Sequence, residues 1–398
     1  MNRQELKAYL QQNGGILRLL PVFVPRRFGT AGRRLRLHPD DYFALGTERG
    51  SIKERWFSSI ICCMNGPKAA PDEGMSYVPV EDGKVALKDF VEQLGADLLG
   101  DAMMERYGTW PMYSKFFDYE GPLFHHLHLG FEDAARVGRI GKPEAYYYPP
   151  QLNNYAGTSP YTYFGFSPEV TKEQVRERLA GYTARDTRIT ELSRAYRIEL
   201  GTGWYTAPGV VHAPGSYLTY EPQWNSDVNS VYENVVENEI YPYEMLVENC
   251  PPDRQQDLDY VISLMDWEKN VDPEYRRHFF RPPVICTQDD AHCEKWVAYG
   301  NPYIAAKELT VYPGAEAVIR DDTPYGCILT QGQGTINGLQ AETACMLRYG
   351  QASADEFFVS YDAAAKGVVV KNTSLCEPLV MLKHFPWHPG VPAAEAGE

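Results

Sequence analysis

The segment PLFHHLHLGF (Pro122–Phe131) holds three of the chain's nine histidines within four positions, and those histidines lie between the turn residues Gly121 and Gly130. Its aromatic and aliphatic content predicts a strand. Successive side chains on a strand point to opposite faces, so His126 and His128 share one face and His125 takes the other. Two imidazoles side by side on the inner surface of a barrel form a natural chelate for a divalent cation. The plainer alternative is a pair of hydrogen-bonded histidines.

Similar short runs surround this one. Between Trp110 and Pro222 come MYSKFFDY, EAYYYPP, YTYFGF, RAYRIEL, GWYTAP and SYLTYEP, separated by Gly, Pro, Asn or Asp. From Tyr303 to Trp387 the rhythm returns in AAKELTVYP, EAVIRD, CILTQGQGTING, TACMLRYG, EFFVSYD, GVVVKN and EPLVMLKHF. Short strands punctuated by turn residues predict antiparallel sandwiches or barrels, not alternating βαβ units. Two β-rich regions of similar size predict a duplicated jelly roll. The stretch GQGTING (Gly332–Gly338) leads into another strand instead of a helix, so it reads as a β-turn and not a phosphate loop.

Helical spacing appears in three places. MNRQELKAYLQQNGG predicts a short polar helix ending at Gly14-Gly15, and Asp89–Tyr107 predicts a second. DRQQDLDYVISLMDW predicts a third, with Leu258, Val261, Ile262 and Met265 on one face. WFSSIICCM (Trp56–Met64) predicts a strand, and the tail GVPAAEAGE is expected to fray. The expected architecture is mainly β, two jelly-roll barrels with helical inserts. Residues 1–90 would pack on the first barrel, 91–250 would form that barrel with a leading helix, 251–294 a helical insert, and 295–398 a second barrel without metal ligands.

Composition narrows the function. With 398 residues, 44% hydrophobic and 23% charged, the chain has the make-up of a globular protein with room for a large core. A formal charge of -15 repels a polyanionic backbone, which argues against nucleic acid as a partner. No apolar run is long enough to span a membrane, and no secretory signal opens the chain. Eight dispersed cysteines without a paired CxxC array read as reduced thiols in a cytoplasmic protein. Cys286, His292 and Cys293 lie close together, but their spacing matches no common zinc module.

Downstream of the histidines, GKPEAYYY (Gly141–Tyr148) places Glu144 at the start of an apolar strand, and GTGWYTAPGVVHAPGS (Gly201–Ser216) places His212 after a Pro208-Gly209 turn. This combination of HxH, a following Glu and PG-x-x-H resembles the cupin superfamily, whose small antiparallel barrel holds a metal with three His and one Glu. The resemblance implies His126, His128, Glu144 and His212 as ligands of one divalent metal. Zinc is favoured, and manganese or iron suits the same donors. The usual cupin spacing would choose Glu132, but that residue sits in a polar stretch. A carboxylate opening an apolar strand needs the compensation a metal gives, so Glu144 is preferred.

The tripeptide Lys142-Pro143-Glu144 brings the resemblance closer to the type I phosphomannose isomerases, zinc bicupins that interconvert mannose and fructose phosphates. Lys115 well before the HxH, RYGTWPMYSKFF ahead of it, and Pro208 to His212 after it are similar to that family's layout. The resemblance implies aldose-ketose isomerisation through an enediolate, with Glu221 or Lys142 moving the proton and Lys115 as a substrate contact. Beside a metal-bound Glu the Lys142 pKa is expected to fall, and in a closed cleft that of Glu221 to rise.

Three departures bear on the substrate. The family's Gln ligand is His126 here, its phosphate-contacting Ser falls on Phe124, and its Arg falls on Val231 or Glu233 in NSDVNSVYENVV. Without that Arg the bidentate fork for a phosphate is missing. Lys115 remains, and Arg136 or Arg139 could add charge. The expected substrate is therefore a small non-phosphorylated sugar, with Tyr146, Tyr147, Tyr148, Tyr155, Tyr161, Tyr163, Trp204 and Tyr205 as candidates for stacking on its ring. Most of them individually read as ordinary barrel core. The same ligand set on iron would suit a cupin dioxygenase or lyase, and a metal site without turnover would suit a sugar-binding bicupin. Self-association into a homo-oligomer stays open.

Overall fold

The strand Met112–Phe117 is buried along its whole length, and its alternation divides two environments. Met112 and Phe116 join a large apolar core, while Lys115 and Phe117 line a cavity. The pattern recurs on Thr219–Trp224, where Tyr220 joins the core and Glu221 lines the cavity. It recurs again on Glu144–Tyr147, where Ala145 and Tyr147 face the core and Tyr146 the cavity. The computed structural model describes residues 1–155 and 157–394.

These strands belong to a seven-stranded antiparallel sheet in the order Phe280–Arg281, Gly203–Thr206, Glu144–Tyr147, Thr219–Trp224, Met112–Phe117, Ser51–Phe57 and Val22–Arg26. A five-stranded sheet pairs with it, in the order Ser193–Arg197, Tyr161–Phe166, His212–Ala213, His126–Leu127 and Ser230–Val231. Phe117, Tyr146 and Trp204 of the first sheet meet Phe164 of the second in a shared core. The helices Lys172–Leu179 and Leu258–Ser263 cover the five-stranded sheet, packing Val175, Leu179, Val261 and Ile262 with Leu127 and Val211. Met265 and the partly buried Leu258 lie in the same cluster, on the apolar face read from the sequence.

The second half repeats the plan. A seven-stranded sheet runs Ile16–Arg18, Glu356–Val359, Tyr325–Gln331, Leu379–Phe385, Ala305–Val311, His292–Ala298 and Val284–Gln288. A four-stranded sheet (Glu316–Ile319, Val368–Asn372, Gln333–Ile336, Leu339–Glu342) encloses with it a core that includes Leu309, Val311, Ile319 and Val370. The fold is mainly β, with the jelly-roll pairs and helical inserts expected. GQGTING holds the whole strand Gln333–Ile336 and the Asn337-Gly338 turn of its hairpin.

The two large sheets share one core, in which Phe116, Tyr147 and Tyr220 meet Ala306, Ile328 and Leu382. Burying each such large side chain contributes roughly 1.5–3 kcal/mol. Polar seams fix the register between the halves. Tyr147 donates to Glu308 at 2.7 Å, and Arg55 donates twice to Asp355 at 2.7 and 2.8 Å. His384 Nδ1 lies 2.7 Å from Ser114 Oγ and 3.0 Å from Tyr220 OH. The first 90 residues feed both sheets, through Ile16–Arg18 in one and Val22–Arg26 and Ser51–Phe57 in the other.

Several local expectations are corrected. The helix expected over Asp89–Tyr107 is three, Leu87–Leu94, Ala96–Leu99 and Asp101–Tyr107, because Gly95 (φ 52) and Gly100 (φ 79) take positive φ that a continuous right-handed helix cannot contain. The strand expected over Trp56–Met64 ends at Phe57, where Ser58 takes φ 54, and extends back to Ser51 instead. In Pro122–Phe131 only His126–Leu127 is strand, since a helix, Phe131–Arg136, starts after Gly130. TACMLRYG forms no ladder, only an isolated bridge from Leu347 to Leu37. EFFVSYD turns into the helix Tyr361–Lys366, capped by Ser360. The tail expected to fray is anchored as far as Pro392, whose carbonyl accepts from Gly300 N at 3.2 Å; Glu395–Glu398 lie outside the described residues.

Candidate metal centre

His126 and His212 sit directly opposite one another on neighbouring strands, and His128 follows His126 on the same face. Each ring is fixed through Nδ1 by a main-chain carbonyl: Phe124 O at 3.0 Å for His126, Val228 O at 2.7 Å for His128 and Val210 O at 2.8 Å for His212. A carbonyl only accepts, so Nδ1 carries the hydrogen and Nε2 presents its lone pair, the atom through which a metal is ligated. Among the described residues, His126, His128 and His212 form a buried group whose ligand atoms all lie within 4.8 Å of one another.

Glu144 reaches this group from the opposite sheet. Its Oε2 lies 3.0 Å from His128 Nε2 and its Oε1 lies 3.1 Å from His212 Nε2. These contacts join acceptor to acceptor and are not hydrogen bonds; Glu144 Oε1 and Oε2 and His212 Nε2 are buried without a hydrogen-bond partner. Burial, then the neighbouring histidines, holds His126 well below the usual imidazole range, and burial brings His128 down to about 4. Both rings are therefore neutral at neutral pH, the ligating form. Burial alone would raise Glu144, but His128 and Lys142 hold it well below the carboxylate range. Converging neutral imidazoles and a carboxylate, with unsatisfied lone pairs between them, fit a divalent cation.

A file of buried charges runs outward from this point. Lys142 Nζ lies 2.9 Å from Glu144 Oε2, 3.1 Å from His128 Nε2 and 3.3 Å from Glu221 Oε1. Lys115, directly across the ladder from Glu221, lies 3.2 Å from it and 3.9 Å from Glu54. Arg26 then bridges Glu54, through two bonds of 3.0 Å, and Asp227 at 2.8 Å. Burial and repulsion by Glu144 push Glu221 up to about 8, against the pull of Lys115 and Lys142. The expected fall in the Lys142 pKa is not found. Burial favours it, but Glu144 and Glu221 outweigh burial and hold the ammonium above its ordinary value.

The cavity over this site has a volume of about 820 Å³. His126, His128, Lys142, Lys115 and Glu221 line it, and Arg26, Glu54 and Asp227 add a wall the sequence reading did not name. Arg26 and Asp227 stand 201 positions apart, and only the fold joins them. Lys115 is buried. Glu132 is exposed on the helix Phe131–Arg136, outside the cavity lining. Phe124 and Val231 pack with Tyr241 in an apolar cluster, and Glu233 turns away to His125 at 2.7 Å. Arg139 lines the cavity, whereas Arg136 pairs with Asp133 at 2.9 Å. Of the eight aromatic candidates for stacking, Tyr146 alone lines the cavity. Cys286 donates to Glu294 O at 3.2 Å and His292 Nδ1 lies 2.9 Å from Asp289 Oδ1, away from the histidine group.

No protein-family model matches the sequence, and no curated protein is detectably similar to it. Solved structures are similar over nearly the whole chain. The mannose 6-phosphate isomerase of Bacillus subtilis matches with a TM-score of 0.60 at 17% identity, covering 93% of this chain and 99% of its own. A phosphomannose isomerase mutant from Salmonella typhimurium matches with a TM-score of 0.61 at 12% identity, covering 94% and 99%. The architecture is thus a cupin fold. More narrowly, it is the fold of the phosphomannose isomerases.

Proposed function

We propose that this protein is a metal-dependent aldose-ketose isomerase acting on a non-phosphorylated sugar, with one divalent ion, zinc foremost, held by His126, His128, Glu144 and His212. One observation carries the reading: a buried carboxyl, Glu221, lies 3.3 Å from a buried amine, Lys142, directly beside the ligand set. Bound there, the ion would polarise adjacent oxygens of the sugar. Glu221 removes the proton from the carbon next to the carbonyl and returns it to the neighbouring carbon, passing through an enediolate. Lys142 stabilises charge developing on the adjacent oxygen, and because it is held protonated it serves as donor while Glu221 serves as base.

The absence of a phosphate rests on how the cavity's cations are used. Arg26 is engaged by Glu54 and Asp227, Arg49 by Glu73, Lys115 by Glu54 and Glu221, and Lys142 by Glu144 and Glu221. The remaining cations on the lining, Arg27 and Arg139, are exposed, where water screens a point charge. The test is an isomerisation screen of free and phosphorylated aldoses and ketoses with metal-replete protein, using Glu221→Gln as control. Turnover of a free sugar, lost in the variant, supports the proposal; far better turnover of mannose 6-phosphate overturns its substrate half.

A further inference from the structure

The cavity is larger than a monosaccharide requires. Even at the ~30 Å³ a water molecule takes in the liquid, the about twelve non-hydrogen atoms of a hexose fill on the order of 360 Å³. The cavity holds about 820 Å³. Its two ends also differ in chemistry. The inner end is the file of charges beside the histidines, whereas the rest of the lining sets an apolar patch of Phe28, Leu123, Tyr241 and Met245 among polar and charged side chains such as Arg27, Asn229 and Glu239. Ile240, 79% exposed, marks the open side.

This apolar surface begins one ring's width from the metal donors. The Phe124 ring lies 5.6 Å from His126, and the Phe28 ring lies 5.0 Å from Phe124. Phe28 is held in place by stacking on Tyr119 at 6.0 Å, and Tyr241 is set edge-on to Phe124 at 4.9 Å. Arg27, Asn229 and Arg139 also line the cavity, and their side chains hold no hydrogen bond among the described residues. A rigid aromatic platform bordered by unengaged amide and guanidinium groups suits a pyranose, whose C–H face packs on the ring while its hydroxyls take the polar groups.

We infer that the substrate is a reducing disaccharide, an assignment that rests on the isomerase reading of the inner end. Its reducing residue lies against Glu221 and Lys142, and its second ring lies against Phe28 and Met245. Binding energy from that remote ring then serves turnover at the reducing end.

The test uses the metal-replete full-length enzyme with mannose, glucose, mannose 6-phosphate, maltose and cellobiose. The expected kcat/KM for a disaccharide exceeds that of its parent hexose by about tenfold or more, and Phe28→Ala removes most of this gain while changing the hexose value by less than about twofold. Met245→Ala serves as the second variant if the first fails to fold. Equal or better turnover of the hexoses or of mannose 6-phosphate overturns the assignment, as does an equal loss for both sugar sizes in the variants. If nothing is isomerised, the isomerase reading falls and calorimetry decides the outer compartment. Binding of maltose or cellobiose that Phe28→Ala weakens sustains it, and binding that is absent or unaffected refutes it.

Discussion

His128 Nε2 and Glu144 Oε2 meet at 3.0 Å with no proton of their own to share. The ring's hydrogen is committed to Val228 O through Nδ1, and the carboxylate is held well below its ordinary pKa. Lys142 Nζ approaches both atoms from one side, at 3.1 and 2.9 Å, but Glu144 Oε1 and His212 Nε2 face each other at 3.1 Å without any donor. A cation at this convergence removes a repulsion that burial otherwise makes expensive.

Metal removal should therefore destabilise the fold as well as disable the site. Chelation is expected to lower the melting temperature and metal addition to restore it, since saturation a hundredfold above Kd stabilises by about 2.7 kcal/mol. His212→Ala should abolish the restoration and reduce bound metal, from about one ion per chain, to a trace. Elemental analysis alongside calorimetric melting checks both.

The pH profile should report Glu221. As a base it works deprotonated, so kcat/KM rises with pH along an acid limb above the ordinary carboxylate value of 4.5 and no higher than about 8. A cation at Glu144 relieves part of the repulsion on Glu221 and moves the limb downward from 8. Glu221→Gln should remove the limb together with the activity.

Lys115 should matter to that limb without touching the metal. Its ammonium lies 3.2 Å from Glu221 and lowers the carboxyl's pKa. Lys115→Met leaves Glu54 and Glu221 short of a buried counter-ion. The expected cost is about 3–5 kcal/mol in denaturant unfolding, with the acid limb displaced to higher pH.

A separate titration should govern stability at the junction of the two halves. Burial pushes Glu356 up from 4.5 to about 8, with Arg55 opposing and Asp355 adding. The native state holds this proton more tightly than the unfolded chain. The stabilisation is present in full below about pH 4.5 and is lost as pH rises through about 8. The contribution falls by up to about 1.4 kcal/mol per pH unit in that window. Glu356→Gln keeps an acceptor for Ser58 N and should flatten the dependence, as read from melting temperature against pH.

What could be read from the sequence divides along physical lines. Strand alternation made the His126 and His128 pair legible, and Glu144 and His212 joined them only through the resemblance of the local HxH, Lys142-Pro143-Glu144 and Pro208-to-His212 patterns to the cupin motifs. The strand Ser51–Phe57 was hidden because Lys53, Glu54 and Arg55 look like a solvated run, yet each is buried against a partner far along the chain. For the same reason the outer part of the file, Glu54, Arg26 and Asp227, carries no local signal. The broken helix over residues 89–107 was misread because its apolar spacing survives two glycines whose positive φ only the packed structure requires.

In the proposed reaction Glu221, beside a metal held by His126, His128, Glu144 and His212, moves a proton between adjacent carbons of a sugar. Its most direct test is nuclear magnetic resonance of the metal-replete protein with free aldoses and ketoses in deuterium oxide. The expected result is aldose-ketose interconversion with deuterium entering at the carbon that gains the proton, both lost in Glu221→Gln and after chelation. Interconversion that persists unchanged in Glu221→Gln, or oxygen-dependent consumption of substrate without interconversion, would contradict it.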